Sequence, residues 1–435
     1  MSRAPARSAS PQRIAMIAAC PFPSPRGSQV LIRELAQNLA DRGHAVHLVT
    51  YPHGESLVPI HGIHVHRVRP PGFLSLPGHL GWRRVILDAW LAVTLYRVVR
   101  DQQIDVIHAH NYEGPLVAYL VRWLTGVPVV YHSHNALSDE LAYYVAPGWR
   151  RTVAHRLGRF LDRQIPRRAD FSVALTPELE GFLRAHGVAA NRVAVVPPGA
   201  ATGVATEGRA DEADLFRGRF VVMYTGNLDP YQDLDVLCDG FARLRQSVAC
   251  PLLVLVTHEA NWSERISDSL ACALREGHAE VIFAPAFSVV RRLMARADVL
   301  VCPRSSWSGF PIKLVNYLSM GRPVVVAEGS AKAVIDGETG LVFRNRDAQH
   351  LALALRRLSD DAALRTQLGE NARLASAKWD GWKQVVIQIE RIFAEVAHRA
   401  RADGAEAGVG RGGKPRGLIA FSRGRISAAS RRQSG

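Results

Sequence analysis

The segment Arg304-Ser-Ser-Trp-Ser-Gly-Phe-Pro-Ile-Lys-Leu-Val-Asn-Tyr-Leu-Ser-Met-Gly321 gathers residue types that bind phosphate and hydroxyl groups. It reads as a strand ending at Pro303, a glycine-containing loop, and a helix opening at Pro311 and closing at Gly321. Lys313 and Asn316 are three apart, so they share a face near the positive end of that helix. A cation and an amide placed there suit a diphosphate and a sugar or ribose hydroxyl. The plain alternative is a solvated lysine on an ordinary strand–helix unit. Pro25-Arg26-Gly27-Ser28 also follows a strand and opens a helix, and Gly27 would let an anion approach the backbone N–H groups closely. An ordinary strand–helix turn explains these residues equally well. This turn is not GxGxxG, and no GxxxxGK[ST] occurs in the chain, so neither a plain dinucleotide fingerprint nor a P-loop is supported.

Histidines recur as HxH pairs at His64/His66, His108/His110 and His132/His134. Residues i and i+2 of a strand share a face, so two such pairs on adjacent strands would form a metal cluster. No carboxylate or cysteine spacing completes a zinc site, and buried, hydrogen-bonded imidazoles are the preferred reading. No metal is expected. His134 lies just past a strand end and is the best placed to face a cleft. Asp233-Leu234-Asp235 has the form of a metal–diphosphate ligand pair, but it leads into the helical run 234–244. Asp233 therefore reads as a helix N-cap, not a ligand.

The elements that position these residues alternate regularly. Strand-like runs at 14–19, 45–50, 63–68, 106–109, 127–131, 171–175 and 192–196 are separated by amphipathic helical stretches. One of these, 30–40, ends at Asp41-Arg42-Gly43, and Thr176-Pro177-Glu178 opens another with N-cap, proline and acid in order. A Pro/Gly/Ala/Thr stretch near 197–208 interrupts the pattern, which restarts with strands at 220–224, 252–257, 281–283, 299–302 and 323–327. Such alternation predicts α/β architecture: two Rossmann-like domains facing across a cleft. The expected division is a disordered tail at 1–12, a first domain at 13–198 and a linker at 199–218. A second domain at 219–378, a C-terminal helix at 379–398 and a basic disordered tail at 399–435 follow.

Net charge is +15 over 435 residues, which raises the question of nucleic acid. Residues 1–13 contribute +3 and 399–435 contribute +7, leaving +5 for the body. Without a recognisable module or aromatic–basic interleaving, nucleic-acid binding is not expected. Five scattered cysteines without a CxxC pair suit a reducing cytosol rather than a disulfide framework. No secretory signal is read, and the apolar run 85–99 is too short and too polar to span a membrane. Residues 149–168 form a basic amphipathic helix, with Val153, Leu157, Phe160, Leu161 and Ile165 against seven arginines and one acid, Asp162. Either a solvated surface or contact with an anionic membrane or phosphate-bearing acceptor follows.

From about Arg13 to Phe393 the chain resembles family 4 glycosyltransferases, which have the GT-B fold. The resemblance is carried by Pro25-Arg-Gly-Ser-Gln29, Asp105-Val-Ile-His-Ala-His110, Pro128-Val-Val-Tyr-His-Ser-His134 and Tyr224-Thr-Gly-Asn-Leu228. Gly309-Phe-Pro311 through Gly321-Arg-Pro-Val-Val325 and Asp336-Gly-Glu-Thr-Gly340 complete it. It implies transfer of a sugar from a nucleotide-sugar with retention and no essential metal or cofactor, the donor on the second domain and the acceptor on the first. His134 would be the acceptor-side catalytic histidine and Lys313 the catalytic cation. Gly27, Gly226, Asn227, Arg304, Gly309, Phe310, Pro311 and Asn316 would bind the donor. A glycan or lipid-linked acceptor, cell-envelope polysaccharide assembly and a cytoplasmic, inner-membrane location are the expected setting.

The sequence departs from the family at the donor site. Asn227 and Gln232 stand where Arg and Lys are usual, and Ser308 and Asn316 replace two glutamates. A metal-free diphosphate leaving group needs preorganised positive charge, for which Lys313 is the first candidate and Arg304 the second. Two rivals follow: a catalytically degenerate sugar-nucleotide-binding or partner protein, and a nucleotide-sugar epimerase of the same fold.

Overall fold

A computed structural model of the chain describes residues 10–54, 60–69, 81–199, 216, 218–264, 266–379 and 381–409. The first seven strands are β1 (Arg13–Ala18), β2 (Ala45–Thr50), β3 (Ile63–Arg67), β4 (Val106–His110), β5 (Val129–Ser133), β6 (Phe171–Ala174) and β7 (Val193–Val195). All pair in parallel in the order β3-β2-β1-β4-β5-β6-β7. Their nearly unbroken apolar runs fit a sheet covered on both faces. The covering helices are α1 (Gly27–Asp41), α2 (Gly81–Asp101), α3 (Glu113–Thr125), α4 (Leu137–Tyr144), α5 (Trp149–Arg168) and α6 (Pro177–Ala185).

The second sheet contains β8 (Phe220–Thr225), β9 (Pro251–Thr257), β10 (Ala279–Phe283), β11 (Val299–Cys302), β12 (Val324–Ala327) and β13 (Leu341–Phe343). Its order is β10-β9-β8-β11-β12-β13, again wholly parallel. Around it lie α7 (Leu234–Leu244), α8 (Asp268–Arg275), α9 (Phe287–Met294), α10 (Ile312–Ser319), α11 (Ala348–Asp360) and α12 (Ala362–Ala377). The final helix is α13 (Trp382–Val409). The architecture is α/β GT-B. In each sheet the strand order reverses once, between β1 and β4 and between β8 and β11. The loops leaving the carboxyl ends of those strands flank the crevice where open α/β sheets bind ligands.

Local signals behave as the residue types dictate. Thr176 caps α6, its hydroxyl accepting from the Leu179 N–H at 3.2 Å, and Gly43 takes φ +91° past the end of α1. Asp233 does precede α7, but with φ +52° and no capping bond; its carboxylate instead accepts from the Ser305 N–H at 2.8 Å. The C-terminal helix also differs from expectation, beginning at Trp382 and continuing through 399 to Val409. The expected tails and linker otherwise fall largely on 1–9, 200–215 and 410–435, outside the described residues.

Helix α13 packs chiefly on the first domain, with Phe310 and Val315 of the second in the same core. Its Val385, Val386, Ile389 and Phe393 join one core with Leu31 and Leu35 of α1 and with β1, β2 and β4. An ion cluster fixes the join: Arg42 reaches Glu390 at 2.5 and 2.8 Å, and His44 Nε2 lies 2.9 Å from the same carboxylate. Burial alone pushes the Glu390 carboxyl up, yet the bonds from Arg42 and His44 bring it below the ordinary value.

Candidate active site

Lys313 sits on the first turn of α10, which the buried Tyr317 ties to the end of β8 by accepting from the Thr225 N–H at 2.8 Å. That bond aims the lysine across the β8 loop. Its Nζ lies 3.9 Å from the centre of the Tyr224 ring and donates to Gln232 Oε1 at 3.0 Å. A Cβ at Gly226, where φ is +136°, would come within 2.9 Å of that ammonium, so glycine leaves the cation room. Loss of hydration pushes the Lys313 pKa down to about 7. The lysine on α10 thus lies against the β8 loop that holds Asn227 and Gln232.

The loop is held by a chain of hydrogen bonds. Gln232 Nε2 donates to Asn227 Oδ1 at 2.6 Å, and Asn227 Nδ2 donates to Asp229 at 2.5 Å and to the Tyr231 hydroxyl at 3.0 Å. Asn227 and Gln232 therefore act here as positioning amides. Arg304 stacks over Tyr231 at 5.2 Å and donates to Ser306 Oγ at 3.1 Å. Its Nε is buried without a partner among the described residues, a donor suited to an anionic guest. Gly309 leaves that guanidinium its present position, since a Cβ there would lie 2.5 Å from an Arg304 nitrogen.

Not all expected donor residues converge. Pro311 is the N-cap residue of α10, and Asn316 lies one turn beyond Lys313 with no side-chain hydrogen bond among the described residues. The Phe310 ring turns away from the crevice, 5.6 Å from Trp379 and within the core that α13 completes. Gly27 starts α1, and a Cβ there would meet nothing within 4 Å, which leaves open space beside the helix N-terminus. Its neighbour Arg26 crosses to the second domain, 3.4 Å from Asp229 and 3.7 Å from Glu259.

On the first domain, β4 and β5 bring His108, His110, His132 and His134 into one buried group. His110 Nδ1 is 3.1 Å from His134 Nε2, and His132 Nδ1 is 3.2 Å from His108 Nε2. One nitrogen from each of His108, His110 and His132 lies within 4.8 Å of the others, a spacing that a metal ion could use. Burial pushes the His134 pKa down to about 4 and that of His108 to about 3, so the rings are neutral near pH 7. With Nε2 committed to His110, Nδ1 is the His134 nitrogen left for a substrate hydroxyl. The third pair also meets a partner across strands: His66 Nε2 lies 3.0 Å from His47 Nδ1, at the far edge of the sheet.

Asp139 escaped the sequence reading. From α4 of the first domain, its Oδ2 accepts from Ser306 Oγ and Ser308 Oγ, both at 2.7 Å, and from the Ser308 N–H at 3.3 Å. A single carboxylate therefore clasps the loop that leads to Lys313. In sequence it reads only as an acid near a helix start, and nothing local pairs it with serines about 170 residues away.

Two family models account for most of the chain. The Glycosyl transferase 4-like domain matches residues 26–199, and Glycosyl transferases group 1 matches residues 219–361. The chain belongs to the GT-B glycosyltransferases. It is 28% identical over 428 residues to a D-inositol 3-phosphate glycosyltransferase of Stackebrandtia nassauensis, covering 91% of this chain and 94% of that one. Among solved structures, sucrose-phosphate synthase of Thermosynechococcus elongatus superposes with TM-score 0.75 at 18% identity, covering 88% and 99%. Anabaena HepE in complex with UDP-glucose gives 0.68 at 19%, covering 88% and 100%. The chain is accordingly a transferase, and no described helix is long and apolar enough to cross a membrane.

Proposed function

We propose that this glycosyltransferase moves a sugar, with retention of configuration and without a metal, from a nucleoside diphosphate-sugar to a glycan or lipid-linked acceptor. Work at the cytoplasmic membrane face in cell-envelope glycan assembly is part of the same reading. The observation that carries it is the Lys313 ammonium, fixed between Tyr224, Gly226 and Gln232 in the second-domain crevice. Departure of a nucleoside diphosphate places negative charge on phosphate oxygens, and preorganised cations and N–H donors stabilise that charge in the transition state. Lys313 and Arg304 supply the cations, the open N-terminus of α1 at Gly27 supplies N–H groups, and Asn316 is left for a hydroxyl. Across the crevice, neutral His134 offers one nitrogen to the sugar or acceptor. The structural relative's UDP-glucose and the curated relative's inositol phosphate are sensible first probes for donor and acceptor.

The degenerate-protein reading rests on Asn227, Gln232, Ser308 and Asn316; in the reading proposed here Lys313 takes the place of the cation missing from the β8 loop. Turnover of UDP-glucose and a panel of other nucleotide-sugars tests the proposal, with the anomeric configuration of the product read by NMR. Activity that vanishes in Lys313→Met supports it. Inversion at the anomeric carbon, full activity of the variant, or no binding of any donor would overturn it. Conversion of donor alone into an isomeric sugar would establish the epimerase instead.

A further inference from the structure

The outer face of the first domain carries features that sugar transfer does not use. On α5, Trp149, Val153, Leu157 and Phe160 recur at helical spacing, and all are more than half exposed, Trp149 at 73%. The inward face of the helix is formed by Gly158, Asp162, Ile165 and Pro166. Helix α3 lies alongside, with the Tyr119 hydroxyl donating to the Ile165 carbonyl at 2.5 Å and Arg122 to the Arg168 carbonyl at 2.8 Å. It too turns an apolar stripe outward: Leu116, Leu120, Leu124 and Trp123, the last 81% exposed. Soluble surfaces seldom leave two such stripes uncovered on neighbouring helices.

Beside this ridge, between α5 and the end of α6, lies a recess of about 580 Å³. Arg159, Arg163 and Arg167 line it at successive turns, with Phe160, His186 and Gly187. Among the described residues none of the three guanidinium groups has a carboxylate partner. The only acid on the helix, Asp162, is turned inward, accepting from the Leu137 and Ser138 N–H groups at 2.9 and 3.0 Å. His186 Nδ1 is held by the Phe182 carbonyl at 2.8 Å, leaving Nε2 for another group. Gly187 has φ +93°, and a Cβ there would come within 2.8 Å of Arg167 Nε, so glycine keeps the guanidinium in place. Three guanidinium groups in a concave site, without a carboxylate partner among the described residues, match a ligand with several anionic oxygens. Phe160 belongs to both the recess and the ridge, so that ligand sits where an apolar layer begins.

We propose that the recess binds the phosphate of an anionic phospholipid headgroup while the exposed ridge of α5 and α3 enters the acyl layer. The first domain thereby docks on a negatively charged bilayer. The proposal rests on the membrane-face part of the function above and not on its chemistry. A soluble phosphate would use the arginines but not the ridge, and a nucleic acid would leave the ridge in water.

Co-sedimentation of the full chain with vesicles of phosphatidylglycerol and phosphatidylcholine, or of phosphatidylcholine alone, tests this, with inorganic phosphate as a separate arm. Capture by the anionic vesicles only is expected, with blue-shifted tryptophan emission from Trp123 and Trp149. The R159Q/R163Q/R167Q chain should bind roughly 100-fold more weakly at an unchanged melting temperature. Trp149→Ser should weaken capture while leaving phosphate binding intact, and serves if the triple variant does not fold. Capture by neither or equally by both vesicles, wild-type capture by the arginine variant, or saturation by inorganic phosphate without vesicle capture would overturn the proposal. Nucleotide-sugar turnover measured on the same samples separates the two readings, since docking without turnover would sink only the transferase chemistry.

Discussion

Across the crevice, the two domains present opposite chemistry. The first offers four imidazoles packed against one another, and burial keeps His108 and His134 neutral. The second offers Lys313 and Arg304 over tyrosine rings, with amides and a glycine arranged around them. A neutral ring can orient a hydroxyl but adds little against a diphosphate, whereas a fixed cation acts most strongly where charge develops. On the proposed function, the phosphate end of a donor falls to the second domain and the hydroxyl-bearing partner to the first. On the same proposal the binding cation comes from a neighbouring element: α10 carries it, and the β8 loop keeps an amide that accepts from it.

The sharpest way to break that contrast is Lys313→Met. We expect kcat/KM to fall by about 10² to 10³, the usual loss for one preorganised transition-state contact, with weaker donor binding by calorimetry. A loss smaller than that of the His134 variant would reverse the assignment. Next in size, Asp139→Ala should lower stability by about 1–3 kcal/mol, because the Ser306 and Ser308 hydroxyls lose a shared acceptor; thermal melting checks this. His134→Gln should cost roughly tenfold in turnover, about one neutral hydrogen bond, and leave the donor dissociation constant unchanged.

The remaining test is of pH dependence. Lys313 titrates near 7 in the folded chain and near its ordinary 10.5 when unfolded. Between those values the unfolded chain binds more protons, so this residue makes stability rise with pH from about 7 to 10.5. Donor binding needs the protonated form, so affinity should drop severalfold above pH 7, with proton uptake on binding in calorimetry. Both dependences should flatten in Lys313→Met; an unchanged profile there would show that another group titrates.

Much of this was legible in the sequence, for reasons particular residues make plain. The strands announced themselves as β-branched runs, and Lys313 at three-residue spacing from Asn316 announced a shared helix face. Strand β13 did not, because Leu341-Val342-Phe343 is too short to show a period. Asp139 was invisible because its partners are distant in the chain. Asp233 misled because its left-handed backbone turns the carboxylate from its own helix toward Ser305. The stripe on α5 was visible, but an amphipathic pattern alone does not say whether its apolar side meets protein or solvent. Gly158 and Asp162, with Ile165 and Pro166, proved to be the inward face.

Helix α13 gives the two halves of the gene an unequal relation. The first domain's core and its Arg42–His44 cluster are completed by a segment encoded after the second domain. A chain opened between residues 199 and 218 should therefore yield not two modules but two complementing fragments, co-purifying through Glu390 and Phe393. The same fragments carrying Glu390→Ala would be expected to part.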